Sequence, residues 1–239
     1  MHLMMLFTIT PLAARGGAWG SAGAVFQRGG VVMWPLLACS LLALTVVIER
    51  AIVLARFKAR RRADAATVEA MLALLQQDRP EEAVALGRAA GAGPVAALLA
   101  DGLRLREFGL TESLQAAASR LLDTLRRGFA VLDTVITLGP LLGILGTVTG
   151  IIRSFHLLSA SGVRDPAAVT GGIAEALLTT AAGLIVAIGA LIPFNLFVST
   201  LRRHARDLEQ TIHQCEMAYR QGAARRAPSA AAERGAHEP

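Results

Sequence analysis

Between residues 171 and 201 the chain reads GGIAEALLTTAAGLIVAIGALIPFNLFVSTL, and its one charged residue is Glu175. As a helix this stretch is about 46 Å long, against about 30 Å for the hydrocarbon core of a bilayer. An ionised carboxylate costs about 2.5 kcal/mol or more at the centre of a membrane span, so Glu175 must face protein or water. It is the one group in the segment able to take up and release a proton. The plainer alternative is a hydrated residue at the outer interface, and the length of the helix leaves that open. Thr179, four residues on, shares the face of Glu175. Thr180 is rotated away by about 140°. Spacing therefore favours Thr179 as the direct partner of the carboxylate.

A second apolar run, residues 130–152, reads AVLDTVITLGPLLGILGTVTGII. Gly139, Gly143, Gly146 and Gly150 recur there at spacings of four, three and four, on one helical face. A face without side chains lets another helix approach closely, which matters in lipid, where hydrophobic burial does not drive helices together. Gly183 in the third run belongs to the same class of packing residue. Thr147 lies at the edge of the stripe. Its hydroxyl either bonds a carbonyl one turn back or faces a hydrated lumen. Pro140 removes a backbone hydrogen bond and is expected to bend the helix. Asp133 follows Arg127 by six residues and reads as a structural, interfacial acid; Glu49 and Arg50 read as an interfacial pair. His156 reads as a surface histidine and Cys39 as an apolar filler.

The elements that must position these residues are membrane helices. The 239 residues are 54% hydrophobic and 18% charged, with a mean hydropathy of +0.50. The apolar run 31–48, VVMWPLLACSLLALTVVI, makes a third span, extended by AIVLA to residue 55. The net charge of +6 follows topology rather than nucleic acid, since no aromatic platform accompanies the basic residues. Arg56, Lys58, Arg60, Arg61 and Arg62 follow the first span, Arg126 and Arg127 precede the second, and Arg202, Arg203 and Arg206 follow the third. The other side carries Arg15, Arg28, Arg153 and Arg164. Positive residues concentrate on the cytoplasmic side, which places the N-terminus outside and the C-terminus inside. Two cysteines, Cys39 and Cys215, offer neither a metal-binding spacing nor a plausible disulfide. No cofactor site, metal site or catalytic residue is read from the sequence.

The expected organisation is an all-α membrane protein with long helices extending into the cytoplasm, assembling as a homo-oligomeric ring. Residues 1–29 form an outer-face segment, either signal-like or amphipathic. Transmembrane helices cover 30–55, 130–152 and 171–201. A cytoplasmic helical region covers 56–129, a periplasmic loop 153–170, a cytoplasmic helix 202–221 and a disordered tail 222–239. Within 56–129, Asp78 and Pro80 mark a helix start and GAGP at 91–94 a break. Thr111 is the expected N-cap of a helix running unbroken through the second span to Phe155. Asp165 and Pro166 are expected to start a short helix in the outer loop.

TLGPLLGILGTVTGIIRSF (137–155) and GGIAEALLTTAAGLIVAIGALIPFN (171–195) closely resemble the paired signature of the ExbB/TolQ/MotA proton-channel family, nearest to its ExbB/TolQ branch. GGVVMWPLLACSLLALTVVIER (29–50) resembles the first span of that branch. Gly139 departs from the Ala that commonly precedes the Pro. The resemblance implies an inner-membrane motor subunit without catalysis of its own. Several copies, typically five, would surround an ExbD/TolR-like single-span partner that bears an essential Asp. Such a complex works with a TonB-like or TolA-like protein on the outer membrane, driven by about 2.3 kcal/mol per charge per 100 mV. The resemblance also matches Glu175 to the family's conserved Glu and Thr147 and Thr180 to its pore threonines. It favours Thr180 where spacing favours Thr179. A non-conducting scaffold and a flagellar-stator relative, whose branch has four spans, are the alternatives.

Overall fold

The computed structural model describes residues 29–161 and 166–235, and all regular secondary structure among them is helical. The expected outer segment at residues 1–28, the start at Asp165 and the last four residues lie outside the described residues. Helix α1 spans Met33–Gln76, α2 Pro80–Gly87, α3 Pro94–Arg104, α4 Leu110–Arg126, α5 Phe129–Ser161 and α6 Pro166–Gly235. A 3₁₀ turn, Arg106–Phe108, lies between α3 and α4. Among the described residues, three segments are long and apolar enough to cross a membrane: Met33–Arg61, Phe129–His156 and Thr170–Arg225. The protein is thus an all-α membrane protein with three candidate spans.

Several boundaries differ from expectation, each for a local reason. The helix expected to run unbroken from Thr111 to Phe155 is interrupted at Arg127 and Gly128, where Gly128 takes a φ of +80°. Only glycine adopts that conformation cheaply, so the breaker in this stretch is Gly128. Pro140 sits inside α5 with helix on both sides. The cap of α4 is Gly109, also at positive φ, and not Thr111. Helix α5 continues to Ser161 and α6 begins at Pro166, which leaves little of the expected loop 153–170. The helix starting at Pro166 is not short: it forms the head of α6. At the other end α6 passes residue 221, where a disordered tail was expected, and reaches Gly235. Its alanine-rich end is compatible with helix.

The chain divides into two compact units. The first comprises residues 1–41 and 135–189, and in it α5 and α6 pack directly on one another. The second comprises residues 42–134 and 190–239 and holds a conventional aliphatic core. Met71, Leu75, Leu99, Leu103, Leu114, Ile212 and Cys215 meet there. A smaller cluster joins Leu54, Phe57, Leu125 and Leu201.

Polar side chains pin this second unit together. Buried Asp64 on α1 accepts backbone N–H groups from Gly93 at 3.0 Å, Val95 at 2.8 Å and Ala96 at 3.0 Å. Those amides open α3 and have no partner within their own helix. Arg61 on α1 donates to Asp207 at 2.5 Å and meets His204 Nδ1 at 3.1 Å, both on α6. Phe57 lies edge-on to the His204 ring, with centroids 5.0 Å apart. Arg50 pairs with Glu49 and is itself buried within the protein. Its guanidinium also donates to the Thr124 carbonyl at 3.3 Å, in the last turn of α4.

Candidate functional site

The first unit positions the candidate residues by close backbone packing. The glycine stripe of α5 lies against α6 of the same chain. A Cβ on Gly139 would come within 2.9 Å of the Gly183 carbonyl, and one on Gly143 within 3.0 Å of Thr180 Cα. A Cβ on Gly146 would strike the Thr179 side chain, and one on Gly150 would reach Ala176 Cβ at 2.9 Å. Ser154, one turn beyond Gly150, is buried and donates to the Gly150 carbonyl at 3.0 Å, with Gly172 pressed against it. The stripe was read above as a face that lets another helix approach closely. It is filled within one chain, so it gives no argument for contact between copies.

The three threonines have different surroundings. Thr179 is fully buried and donates to the Ala176 carbonyl at 2.8 Å, with the Glu175 backbone carbonyl at 3.3 Å. Spacing made it the direct partner of the Glu175 carboxylate, yet its hydroxyl serves the backbone and its side chain packs on Gly146. Thr180, half-buried, donates across to the Gly143 carbonyl at 2.9 Å and so ties α6 to α5. Thr147, also half-buried, donates back to the Ile144 carbonyl at 2.6 Å.

Glu175 itself is half-buried, and its carboxylate is met from two other elements. Arg153, near the end of α5, brings Nη1 to 3.6 Å from Glu175 Oε2. Gly30, just ahead of α1, lies so close to the other carboxylate oxygen that a Cβ there would collide with it. Gly30 has a φ of +67°, a conformation in which a side chain is strained in any case. Sequence reasoning used Arg153 for topology and placed Gly30 at the start of the first span. It assigned neither to the site, because 22 and 145 residues separate them from Glu175. The basic residue at the end of the second span was the available signal.

Three apolar helices, two of them joined through glycine faces where Glu175 meets Arg153, define an integral membrane protein with a carboxylate at its helix junction. Residues 90–210 match the model of the MotA/TolQ/ExbB proton channel family. The chain is 36% identical over 209 residues to a putative biopolymer transport protein, ExbB-like 1, of Synechocystis, covering 82% of this chain and 78% of that protein. It is 35% identical over 199 residues to ExbB-like 3 of the same organism, covering 81% and 93%. It is 38% identical over 101 residues to the biopolymer transport protein ExbB of Pseudomonas putida, covering 42% of this chain and 30% of that one. The chain belongs to the MotA/TolQ/ExbB proton channel family. It is a multi-pass membrane protein of the ExbB type, with the energy-transducing transport role of that family.

Proposed function

We propose that this chain is the proton-channel subunit of an inner-membrane motor in which Glu175 is the group that takes up and releases protons. The observation that carries the reading is the placement of Glu175. It is the single charge in the apolar stretch 171–201, and its carboxylate is held at a junction of three segments rather than facing out freely. Thr147 and Thr180 line the route beside it. Both support this by their partial exposure, Thr180 next to the Gly143 carbonyl. Thr179 contributes packing. The N-terminus is periplasmic and the C-terminus cytoplasmic, as the arginine distribution supports.

The working form is a homo-oligomer, a pentamer by likeness to the family, around an ExbD/TolR-like single-span partner with its own acid. A TonB-like or TolA-like protein passes the work to the outer membrane. Support comes from the apolar surface of the first unit. Leu141, Ile144, Leu177, Ile185 and Ile188 are all exposed in the single chain, and lipid or a neighbouring copy must cover them. Substitution Glu175→Gln tests the reading. It removes the charge at constant volume, so membrane level and oligomer size should be unchanged while proton-driven transport is lost. A well-expressed Glu175→Gln protein that still supports transport would refute the assignment and favour a non-conducting scaffold.

A further inference from the structure

We propose that Arg153 and Gly30 are positioning residues for Glu175, with Arg153 the counter-ion that its carboxylate leaves when it takes up a proton and regains when it gives the proton back. The inference rests on the reading of Glu175 as the proton-exchanging group. Three segments meet at the carboxylate. Glu175 projects from the first turns of α6 beyond its start, Arg153 comes from the end of α5, and Gly30 comes from the segment leading into α1. The two oxygens are treated differently. One is met by the bare Cα of Gly30, and the other faces the guanidinium at 3.6 Å. The hydroxyls nearest in sequence are engaged elsewhere, Thr179 with the Ala176 carbonyl and Thr180 with that of Gly143. Arg153 is thus the charged group that holds the ionised carboxylate in one rotamer.

The exposure of the two partners suits a contact that must open. The Arg153 side chain is 67% exposed and that of Glu175 22%. An ion pair with one wet partner is worth about 0–1 kcal/mol, whereas a fully buried pair is far harder to part. A proton arriving from the aqueous side forms an O–H bond on the carboxylate and cancels its charge, which removes the attraction to Arg153. Loss of the proton restores it. Gly30 sets how far the carboxylate can move, because any side chain there occupies its position.

The test uses the full chain with its partner in cells, reading proton-driven transport against membrane level and oligomer size. Arg153→Gln should lower transport by about 2- to 5-fold, the equivalent of up to about 1 kcal/mol, at unchanged level and size. Arg153→Lys, which keeps the charge, should stay within about twofold of the parent. Gly30→Ala should lower transport more than Arg153→Gln. Equal transport by Arg153→Gln and Arg153→Lys, whether both intact or both reduced, would overturn the counter-ion role. If Gly30→Ala does not reach the membrane, the two Arg153 variants decide alone. Glu175→Gln is run beside them. If it keeps transport, the proton-path reading falls and this inference with it. If it abolishes transport while Arg153→Gln equals the parent, only this inference falls.

Discussion

The aliphatic core of the second unit and the α5–α6 contact of the first place their large side chains in opposite ways. In the aliphatic core of the unit of residues 42–134 and 190–239, Leu75, Leu99, Leu103 and Leu114 are buried, while the span residues Leu42, Leu44, Ile48 and Ile192 of the same unit are exposed. In the unit of residues 1–41 and 135–189, Leu177 and Ile185 are 65% and 70% exposed, while Gly139, Gly143, Ala176, Thr179 and Gly183 fill the contact between α5 and α6. The difference reflects two solvents. Water drives aliphatic groups into a common core, at about 25 cal/mol per Å² buried. Lipid does not distinguish a leucine from its own tails, so cohesion in the first unit comes from backbones brought close enough for dispersion contact and for the bond from Thr180 to Gly143. One chain thus uses large residues for cohesion in one unit and small ones in the other.

The largest expected effect is an attack on the small-residue contact. A Cβ on Gly183 already meets the Gly139 carbonyl and lies 3.1 Å from Gly143 Cα. Gly183→Leu should therefore force α5 and α6 apart, at a cost of about 3 kcal/mol or more. Detergent-extracted protein should show a loss of folded material in a thermal aggregation assay. Normal stability of Gly183→Leu would mean that the backbone approach is not what holds this unit.

The matching experiment in the other unit removes volume instead of adding it. Leu99 has no exposed surface and lies in the core with Leu103 and Leu114. Leu99→Ala should destabilise that unit by about 3 kcal/mol, from lost transfer energy plus the cavity left behind. Urea unfolding of the full chain in detergent, followed by protection of amides in residues 94–126, would register it. A smaller effect, about 2 kcal/mol, is expected for Asp64→Ala, which strips a charged acceptor from the first amides of α3. Amides of residues 93–96 should then exchange faster, while those of 139–150 keep their protection. Equal loss of protection in both stretches would show that the units are not independent in stability.

These contrasts also explain what was legible in the sequence. The spans were legible because length and apolarity are properties of a single stretch, and Glu175 stood out because it is one charge among apolar neighbours. Gly128 was passed over because a glycine's positive φ leaves no trace in hydrophobic periodicity, whereas a proline advertises itself. Asp64 reads as one more acid in a charged helix, and only the return of the chain 29–32 residues later shows that it caps α3. Arg153 was visible as a charge, but its pairing depends on how α5 and α6 cross. Thr179 shows the limit of helical spacing, which found the shared face with Glu175 but not the carbonyl that takes the hydroxyl.

The smallest expected effect sharpens the comparison most. Ile185 is 70% exposed in the single chain, on the same helix as Gly183 but clear of its contact. If cohesion within this unit comes from small residues alone, Ile185→Ala should leave the fold of one chain within about 0.5 kcal/mol of the parent, the usual range for an exposed site. A core leucine in the other unit costs several times that. The same substitution asks what covers the apolar surface. Against lipid, removing three carbons changes little, because tails fill the space. Against a neighbouring copy it leaves a gap at an interface, and the oligomer should dissociate at a lower detergent-to-protein ratio. Native mass spectrometry across a detergent series, with the thermal stability of the single chain beside it, separates the two. Unchanged stability with weakened assembly would make the Ile185 face an interface between copies. No change in either would make it a lipid-facing surface. A loss of single-chain stability beyond about 1 kcal/mol would break the division between units, because a large exposed aliphatic would then contribute to the fold of a unit held together by small residues.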